Sequence, residues 1–304
     1  MSDRQTSSDR VRDVWSQPPE HKMTSWMEHP LVRTERLNRM VSGRPDQDCH
    51  QWFIELVQRL GMTLPVARCL TIGCGFGDLE RGYSQYNFTS CHDGIDVADG
   101  AIEAASEAAR AEGYTHICYR RADMNTAELP RRTYDILFGH QSIHHIERLE
   151  HLAEQARRAL KPGGLFMLNE YIGLNHLQVA PDQQAFGSGL MQLLPERYVR
   201  KPDGTLRRTM EFATADQVIA YDPSEAVRSE DIVDVLSGTL EVVERRDYGG
   251  NILQLGLHEI VGNFCTGNPR DEAWLRWLFD AEDRLLDEDG VTSDFAVLIL
   301  RRPT

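Results

Sequence analysis

Three alternating glycines form the most concentrated chemical signal in the sequence. Gly73, Gly75 and Gly77 lie in CLTIGCGFGDLE, between an apolar run that is typical of a buried strand and an acidic helix start. Because glycine has no Cβ, the backbone of such a turn can approach a ligand closely. A dinucleotide fingerprint, G-x-G-x-x-G, needs its third glycine where this chain has Asp78, and a carboxylate there would oppose a pyrophosphate at the helix N-terminus. The spacing therefore disfavours a nicotinamide dinucleotide.

Acids follow two further apolar runs of the sequence. Asp96 ends the run GID, and Asp123 lies in RRADMNT. A carboxylate at Asp96 can accept two hydrogen bonds from the vicinal hydroxyls of a ribose, and a helix N-cap is the alternative for this residue. For Asp123 the alternative is a turn or a cap. Cys74, inside the glycine turn, is expected to offer its backbone rather than a reactive thiol.

Four histidines crowd the segment GHQSIHHIERLEH, namely His140, His144, His145 and His151. A zinc site is the obvious hypothesis, but metal sites of this density usually add cysteine or carboxylate ligands at matching spacings. We therefore expect no metal. His144 or His145 could face an acceptor molecule, and capping of the next helix or packing against it is the alternative for both.

Glu170 and Tyr171 end the apolar run LFMLNEY, which is typical of a buried strand. If that strand is parallel to the strand before the glycine turn, both residues reach the same edge of the sheet. Together with His144 and His145 they are the polar residues that the predicted strand order places nearest to the glycine turn, and we regard these four as candidates for catalysis. The alternative is that they are surface residues that lead into the next segment.

The elements that must position these residues form an α/β pattern. Between Arg68 and Leu168 short apolar runs alternate with helical stretches, which predicts right-handed βαβ units and a doubly wound, mostly parallel sheet. Four parts of one domain are expected: a helical N-terminal cap (1–65), a core (66–171), an insertion interrupted by prolines (172–238) and a C-terminal part that completes the sheet (239–304).

Composition excludes several partners. The chain of 304 residues has 33 basic and 47 acidic residues and a net charge of −14, which opposes binding to nucleic acid or to an anionic membrane surface. Its six cysteines show no CxxC pair, and the first ten residues are polar. We expect reduced thiols, no membrane span and a cytoplasmic location. A homo-oligomer is possible, because apolar faces of the N-terminal segment could be buried between two subunits.

At this point the chain resembles the class I S-adenosylmethionine-dependent methyltransferases, in particular bacterial enzymes that act on small molecules. The glycine turn, GIDVADGAIEAA, RRADMNT, YDILFGHQSIHHI and RRALKPGGLFMLNEY follow one another as the family's motifs do, over about residues 66 to 171. The resemblance implies a Rossmann-like sheet of about seven strands with an antiparallel last strand. It also implies S-adenosylmethionine as the cofactor and a set of cofactor-binding residues: Thr71, Gly73, Cys74, Gly75, Gly77, Asp96, Val97, Asp123, Met124, His140 and Gln141.

Thr71 departs from the family pattern, because the family usually has an acid at this position near the end of the first strand. A hydroxyl can accept a hydrogen bond but carries no charge. Another group would then have to balance the ammonium of the cofactor. The same departure supports an alternative in which the protein binds the cofactor as a regulator without transferring a methyl group.

The resemblance implies in-line methyl transfer to a small-molecule acceptor, as in biosynthesis, with adenosylhomocysteine as the second product. O- and N-methylation are the broad expectations, and S-methylation of a thioether amino acid such as methionine is a narrower alternative. Acceptor recognition is expected outside the matched core, and the candidate residues there are Trp26, Arg33, Tyr221, Arg228 and Tyr248. For Arg228 a surface salt bridge beside the Asp222-Pro223 cap is an alternative.

Overall fold

A single seven-stranded sheet organises the chain. The computed structural model describes residues 25–288 and 291–303. The strand order is β3-β2-β1-β4-β5-β7-β6, in which β1 to β5 are parallel and β7 is antiparallel to both of its neighbours. The predicted Rossmann-like architecture is confirmed. The strands are β1 (Cys69–Ile72), β2 (His92–Asp96), β3 (Ile117–Arg121), β4 (Tyr134–His140), β5 (Leu160–Tyr171), β6 (Glu241–Gly249) and β7 (Phe295–Arg301).

Helices cover both faces of this sheet. Before β1, a 3-10 turn (Trp26–Glu28) precedes a π-helix (Val32–Asn38) that continues into a short α-helix. The predicted N-terminal cap begins at residue 1, so its first 24 residues lie outside the described residues. The α-helices are α1 (Arg39–Ser42), α2 (Cys49–Arg59), α3 (Asp78–Ser84), α4 (Asp99–Ala111), α5 (Leu149–Ala159), α6 (Pro181–Leu193), α7 (Ala215–Tyr221), α8 (Ile232–Ser237), α9 (Leu253–Gly256) and α10 (Pro269–Glu288).

Local sequence explains the helices that border the site. Asp48 is the N-cap of α2, and its carboxylate accepts hydrogen bonds from the backbone N–H groups of His50 and Gln51. Helix α4 buries a stripe of Ala101, Ala105 and Ala109, so its axis can approach the sheet closely.

The sheet separates two hydrophobic clusters. In β1 the side chains of Cys69 and Thr71 point to one face and those of Leu70 and Ile72 to the other, as the two-residue period of a strand requires. The first face packs against the N-terminal segment, the insertion and α10. The second face packs against α5 and α8. No described helix is long and apolar enough to cross a membrane.

A buried ion pair connects the N-terminal segment to helix α10. Arg36, in the π-helix, bonds to Glu282 at 2.8 Å and also to Asp283. The other oxygen of Glu282 accepts the backbone N–H groups of Gly250, Ile252 and Leu253 at 2.8–3.1 Å. The N-terminal segment is therefore held beside the turn that follows β6.

Candidate active site

The carboxyl ends of β1, β2 and β4 meet at one edge of the sheet. Ile72 at the end of β1 is in register with Ile95 of β2 and with Gly139 of β4. The residues that follow these positions therefore surround a common space, where open α/β sheets bind their ligands.

The glycine turn after β1 has two glycines that packing requires and one that faces open space. Gly73, Gly75 and Gly77 have φ angles of +69°, +50° and +78°, which side chains rarely adopt. A Cβ on Gly73 would lie 2.4 Å from Cβ of Ser142, and one on Gly77 would lie 2.3 Å from the hydroxyl of Tyr119. A Cβ on Gly75 would meet no atom of the described residues within 4 Å. A ligand can therefore approach the backbone at Gly75.

Asp96 lies directly across from this glycine. Its Oδ2 accepts the backbone N–H of Gly75 at 2.9 Å, and its Oδ1 accepts the N–H of Ala98 at 2.9 Å. The N-cap position of α4 is Ala98, so Asp96 is not the helix cap. Each carboxylate oxygen can accept a second hydrogen bond, so this half-buried group can still receive ribose hydroxyls. Val97 beside it is also half-buried.

Asp123, in the segment after β3, forms hydrogen bonds within a turn. Oδ1 of Asp123 accepts the backbone N–H of Asn125 at 2.8 Å and its side-chain amide at 3.0 Å. The side chain of Met124 is buried in the second cluster. A role for these residues beside an adenine stays a prediction, and the turn alternative is visible in the hydrogen bonds of Asp123.

Thr71 points into the fold and has an acid as its neighbour. Its hydroxyl lies 3.0 Å from Nε2 of His92, and the side chain is 1% exposed. Glu80 of α3 is fully buried beside Thr71, and the hydroxyl of Tyr119 donates to it at 3.4 Å. Burial raises the pKa of Glu80 to about 7. The sequence analysis did not single out Glu80, although its position on the buried side of α3 could have been recognised from the sequence.

A histidine from the N-terminal segment reaches the end of β4. The ring of His50 lies 5.1 Å from the ring of His140, and Nδ2 of Asn169 lies 3.4 Å from Nδ1 of His140. Burial lowers the pKa of His140 and lowers that of His50 to about 3, so both rings are neutral. Gln141 has a φ of +51° and donates its amide to the carbonyl of Asn169 at 3.1 Å. Sequence reasoning did not single out His50 or Asn169.

His144 and Glu170, two of the four predicted catalytic residues, form a close pair. Nδ1 of His144 lies 2.7 Å from Oε2 of Glu170. The other carboxylate oxygen accepts the backbone N–H groups of Ser142 and Ile143 at 2.7 and 2.8 Å. Glu170 therefore fixes both the loop after β4 and the orientation of the imidazole.

The insertion adds three polar side chains to this pair. Oε1 of Glu225 lies 3.6 Å from Nε2 of His144, and Oγ of Ser224 lies 3.1 Å from Nδ1 of His145. Ser224 in turn donates its hydroxyl to Oδ1 of Asp222 at 2.7 Å. Burial opposes the charge on His144, but the neighbouring carboxylates outweigh it and raise its pKa. Burial and the neighbouring His144 lower the pKa of His145.

Tyr171, another of the four predicted catalytic residues, makes its contacts inside the fold. Its hydroxyl donates to the carbonyl of Leu174 at 2.9 Å, and its ring packs against Phe295. Burial raises its pKa far above the ordinary value, so it is a poor proton donor or acceptor at neutral pH. A catalytic role for Tyr171 stays a prediction that these contacts do not support.

The five predicted acceptor-binding residues do not lie together. Trp26 is 2% exposed and packs against Tyr248, whose hydroxyl donates to Oδ1 of Asn169 at 2.6 Å. Tyr221 is 72% exposed, and Arg33 is exposed as well. Arg228 pairs with Glu150 and Asp231, as the salt-bridge alternative predicted. Tyr248 is connected to the carboxyl end of β5 through its bond to Asn169.

Comparisons with known proteins found similarity to methyltransferases. A family model described as a methyltransferase domain matches residues 70–168. The 27-O-demethylrifamycin SV methyltransferase of Amycolatopsis mediterranei is 29% identical over 121 residues, which cover 38% of this chain and 44% of that protein. The chain thus spans less than half the length of the first curated relatives that it matches.

Solved structures show the same fold at low sequence identity. Geranyl diphosphate C-methyltransferase from Streptomyces coelicolor A3(2) aligns with a TM-score of 0.56 and 13% identity, over 99% of this chain and all of that one. The [4+2]-cyclase SpnF aligns with a TM-score of 0.50 and 18% identity, over 98% of this chain and 97% of that one. A cyclase among the neighbours means that the fold alone does not define the reaction.

Proposed function

We propose that the protein, which matches a methyltransferase domain over residues 70–168, is a class I methyltransferase that transfers a methyl group from S-adenosylmethionine to a small-molecule acceptor. The observation that carries the proposal is the open space beside Gly75, bordered by the carboxylate of Asp96. A backbone free of side chains next to a ribose acceptor suits a nucleoside ligand.

The ribose and the amino acid portion of the cofactor each have groups in this chain that suit them. Asp96 would receive the ribose hydroxyls, and the backbone of the glycine turn would border the amino acid portion. Gln141 and His140 would flank the end of that portion, at the exit of β4. When bound, the cofactor supplies an electrophilic methyl group, so the protein has to hold the acceptor in line and exclude water. His50 and Asn169, both packed at His140, help to close the space.

The acceptor side of the site favours a polar acceptor. His144 and Glu170 are buried, and Glu225 is largely buried beside them. Binding becomes less favourable when a ligand leaves buried polar groups without hydrogen-bond partners. An acceptor with oxygen or nitrogen atoms can supply such partners, whereas a thioether sulfur is only a weak acceptor. This argument supports O- or N-methylation over S-methylation of a thioether amino acid such as methionine.

The proposal is tested in two steps with the full chain. Isothermal titration with S-adenosylmethionine and with S-adenosylhomocysteine should show one site per chain. A screen of hydroxyl, carboxyl, amine and thioether compounds should then release S-adenosylhomocysteine with an oxygen or nitrogen acceptor. Absence of binding to both cofactor forms refutes the assignment. Binding without turnover on any acceptor would support the alternative of a non-catalytic regulator, and turnover with thioethers alone would support S-methylation.

A further inference from the structure

Two histidines and a carboxylate lie close together on the proposed acceptor side of the site. One ring nitrogen of His144, one of His145 and one carboxylate oxygen of Glu225 all lie within 4.8 Å of one another. The histidines come from the loop after β4, and Glu225 comes from the insertion, 80 residues beyond His145 in the sequence. No metal was expected from the sequence because no carboxylate has a matching spacing near the histidines, and Glu225 is too far along the chain to be recognised as a ligand.

A hydrogen-bond partner at Nδ1 orients each histidine. Nδ1 of His144 donates to Glu170 at 2.7 Å, so in the neutral imidazole the lone pair lies on Nε2, which faces Glu225. Nδ1 of His145 lies 3.1 Å from the hydroxyl oxygen of Ser224, which itself donates to Asp222 at 2.7 Å. Histidine ligands of metal ions are held in this way, with the second nitrogen bonded to a carboxylate or hydroxyl group.

The facing atoms can share a proton or bind a metal ion. Nε2 of His144 and Oε1 of Glu225 lie 3.6 Å apart. Without a proton between them both atoms are electron-pair donors, and a bound cation could accept both electron pairs.

We propose that His144, His145 and Glu225 bind a divalent transition-metal ion. Two imidazoles and one carboxylate suit Zn²⁺ or Fe²⁺, whereas Mg²⁺ and Ca²⁺ prefer sets of oxygen ligands. Ligand atoms around zinc lie about 3.4 Å apart, so side chains whose ligand atoms lie within 4.8 Å of one another must close by up to about 1.4 Å. Three protein ligands leave coordination positions open for water or for an oxygen of the acceptor. Methyl transfer from a sulfonium needs no metal as such, so this site does not depend on the proposed function.

Metal titration of the full chain tests the site directly. The protein is stripped with a chelator and titrated with Zn²⁺ by calorimetry and with Co²⁺ by visible absorption. We expect one ion per chain and a Co²⁺ spectrum of four- or five-coordinate metal. Glu225→Gln and His145→Asn should each weaken Zn²⁺ binding at least about 100-fold, since even loss of a group that only orients a ligand costs 10–100-fold.

Two matched variants control for the removal of a histidine or a carboxylate. His151, in α5, bonds to the carbonyl of Ala127, and Glu147 is exposed in the histidine loop. His151→Asn and Glu147→Gln should bind Zn²⁺ as the unmutated protein does. Glu170→Gln keeps all three ligands and should weaken binding about 10- to 100-fold through the orientation of His144.

Three results would overturn the proposal. The first is that the unmutated chain binds neither ion stoichiometrically, in which case His144 and Glu225 share only a proton. The second is that Glu225→Gln and His145→Asn, checked for folding by circular dichroism, bind Zn²⁺ as tightly as the unmutated chain. The third needs no variant: a Co²⁺ spectrum of the unmutated protein that matches the hydrated ion would exclude coordination by histidine.

Discussion

Replacing Gly75 by alanine separates the cofactor-binding role of the glycine turn from its structural role. The φ of Gly75 is +50°, so a Cβ there costs the fold about 1–2 kcal/mol. The new methyl group would collide with no described atom, because none lies within 4 Å of its position. It would instead occupy the space assigned to the cofactor. Overfilling a packed site costs about 1–3 kcal/mol, which corresponds to a loss of affinity of about 5- to 150-fold.

A second glycine provides the matched control for this experiment. Gly43 follows α1, has a φ of +80°, and would likewise place its Cβ where the described chain has no atom within 4 Å. Gly43→Ala should lose a similar amount of stability while it binds S-adenosylhomocysteine normally.

The assay is isothermal titration with S-adenosylhomocysteine, together with urea unfolding of each variant. The reasoning fails if Gly75→Ala binds the ligand as tightly as the unmutated protein. It also fails if Gly43→Ala loses as much affinity, because the loss would then follow stability and not the occupied space. A folded Gly75→Ala protein with weakened binding, beside a Gly43→Ala protein with normal binding, is the expected result.

Three further substitutions probe separate parts of the structure. Asp96→Ala should weaken S-adenosylhomocysteine binding about 10- to 150-fold by calorimetry, from the loss of a charged hydrogen-bond partner, whereas Asp99→Ala, on the exposed first turn of α4, should not. Burial raises the pKa of Glu80 from 4.5 to about 7, so its protonation stabilises the fold fully below pH 4.5, and this contribution is lost as the pH rises through 7. Glu80→Gln should therefore raise the free energy of unfolding by about 3 kcal/mol at pH 8 and change it little at pH 4; an equal effect at both pH values would contradict the assignment. Arg36→Met leaves the carboxylate of Glu282 buried without its cation and should destabilise the protein by about 3–5 kcal/mol in urea unfolding, and a loss below 1 kcal/mol would show that the pair does not anchor the N-terminal segment.

The fold could be predicted from the sequence because its signals are local. Each strand of the parallel part is a short apolar run followed by a helix, and right-handed crossovers leave few ways to order such units. The sequence also placed the last strand correctly. It did not reveal the π-helix Val32–Asn38, because seven residues are too few to distinguish the wider period of a π-helix from that of an α-helix. It also did not reveal that β5 begins at Leu160, since KPGG at residues 161–164 is typical of a turn.

The sequence reveals the candidate site most clearly where its residues follow one another closely along the chain. The glycine turn and Asp96 are read from short motifs, and the structure joins them by one hydrogen bond. Glu80 was missed because a strand acid was expected where Thr71 stands, and the burial of α3 decides where its carboxylate lies. His50 was missed because contact between the N-terminal segment and β4 depends on tertiary packing, which no periodicity reports.

The two sides of the site are built differently, and this bears on how specificity can change. The proposed cofactor side consists of turns that leave neighbouring strands, so its geometry depends on the register of the sheet. The proposed acceptor side joins the histidine loop to the insertion, where the backbone N–H of Val227 donates to the carbonyl of His144 at 3.1 Å. Glu225 is therefore positioned by the loop that it faces, while no described hydrogen bond links it to the glycine turn. We therefore expect that changes in the insertion can alter the proposed acceptor side, or a bound metal ion, without moving Gly75 and Asp96 on the proposed cofactor side.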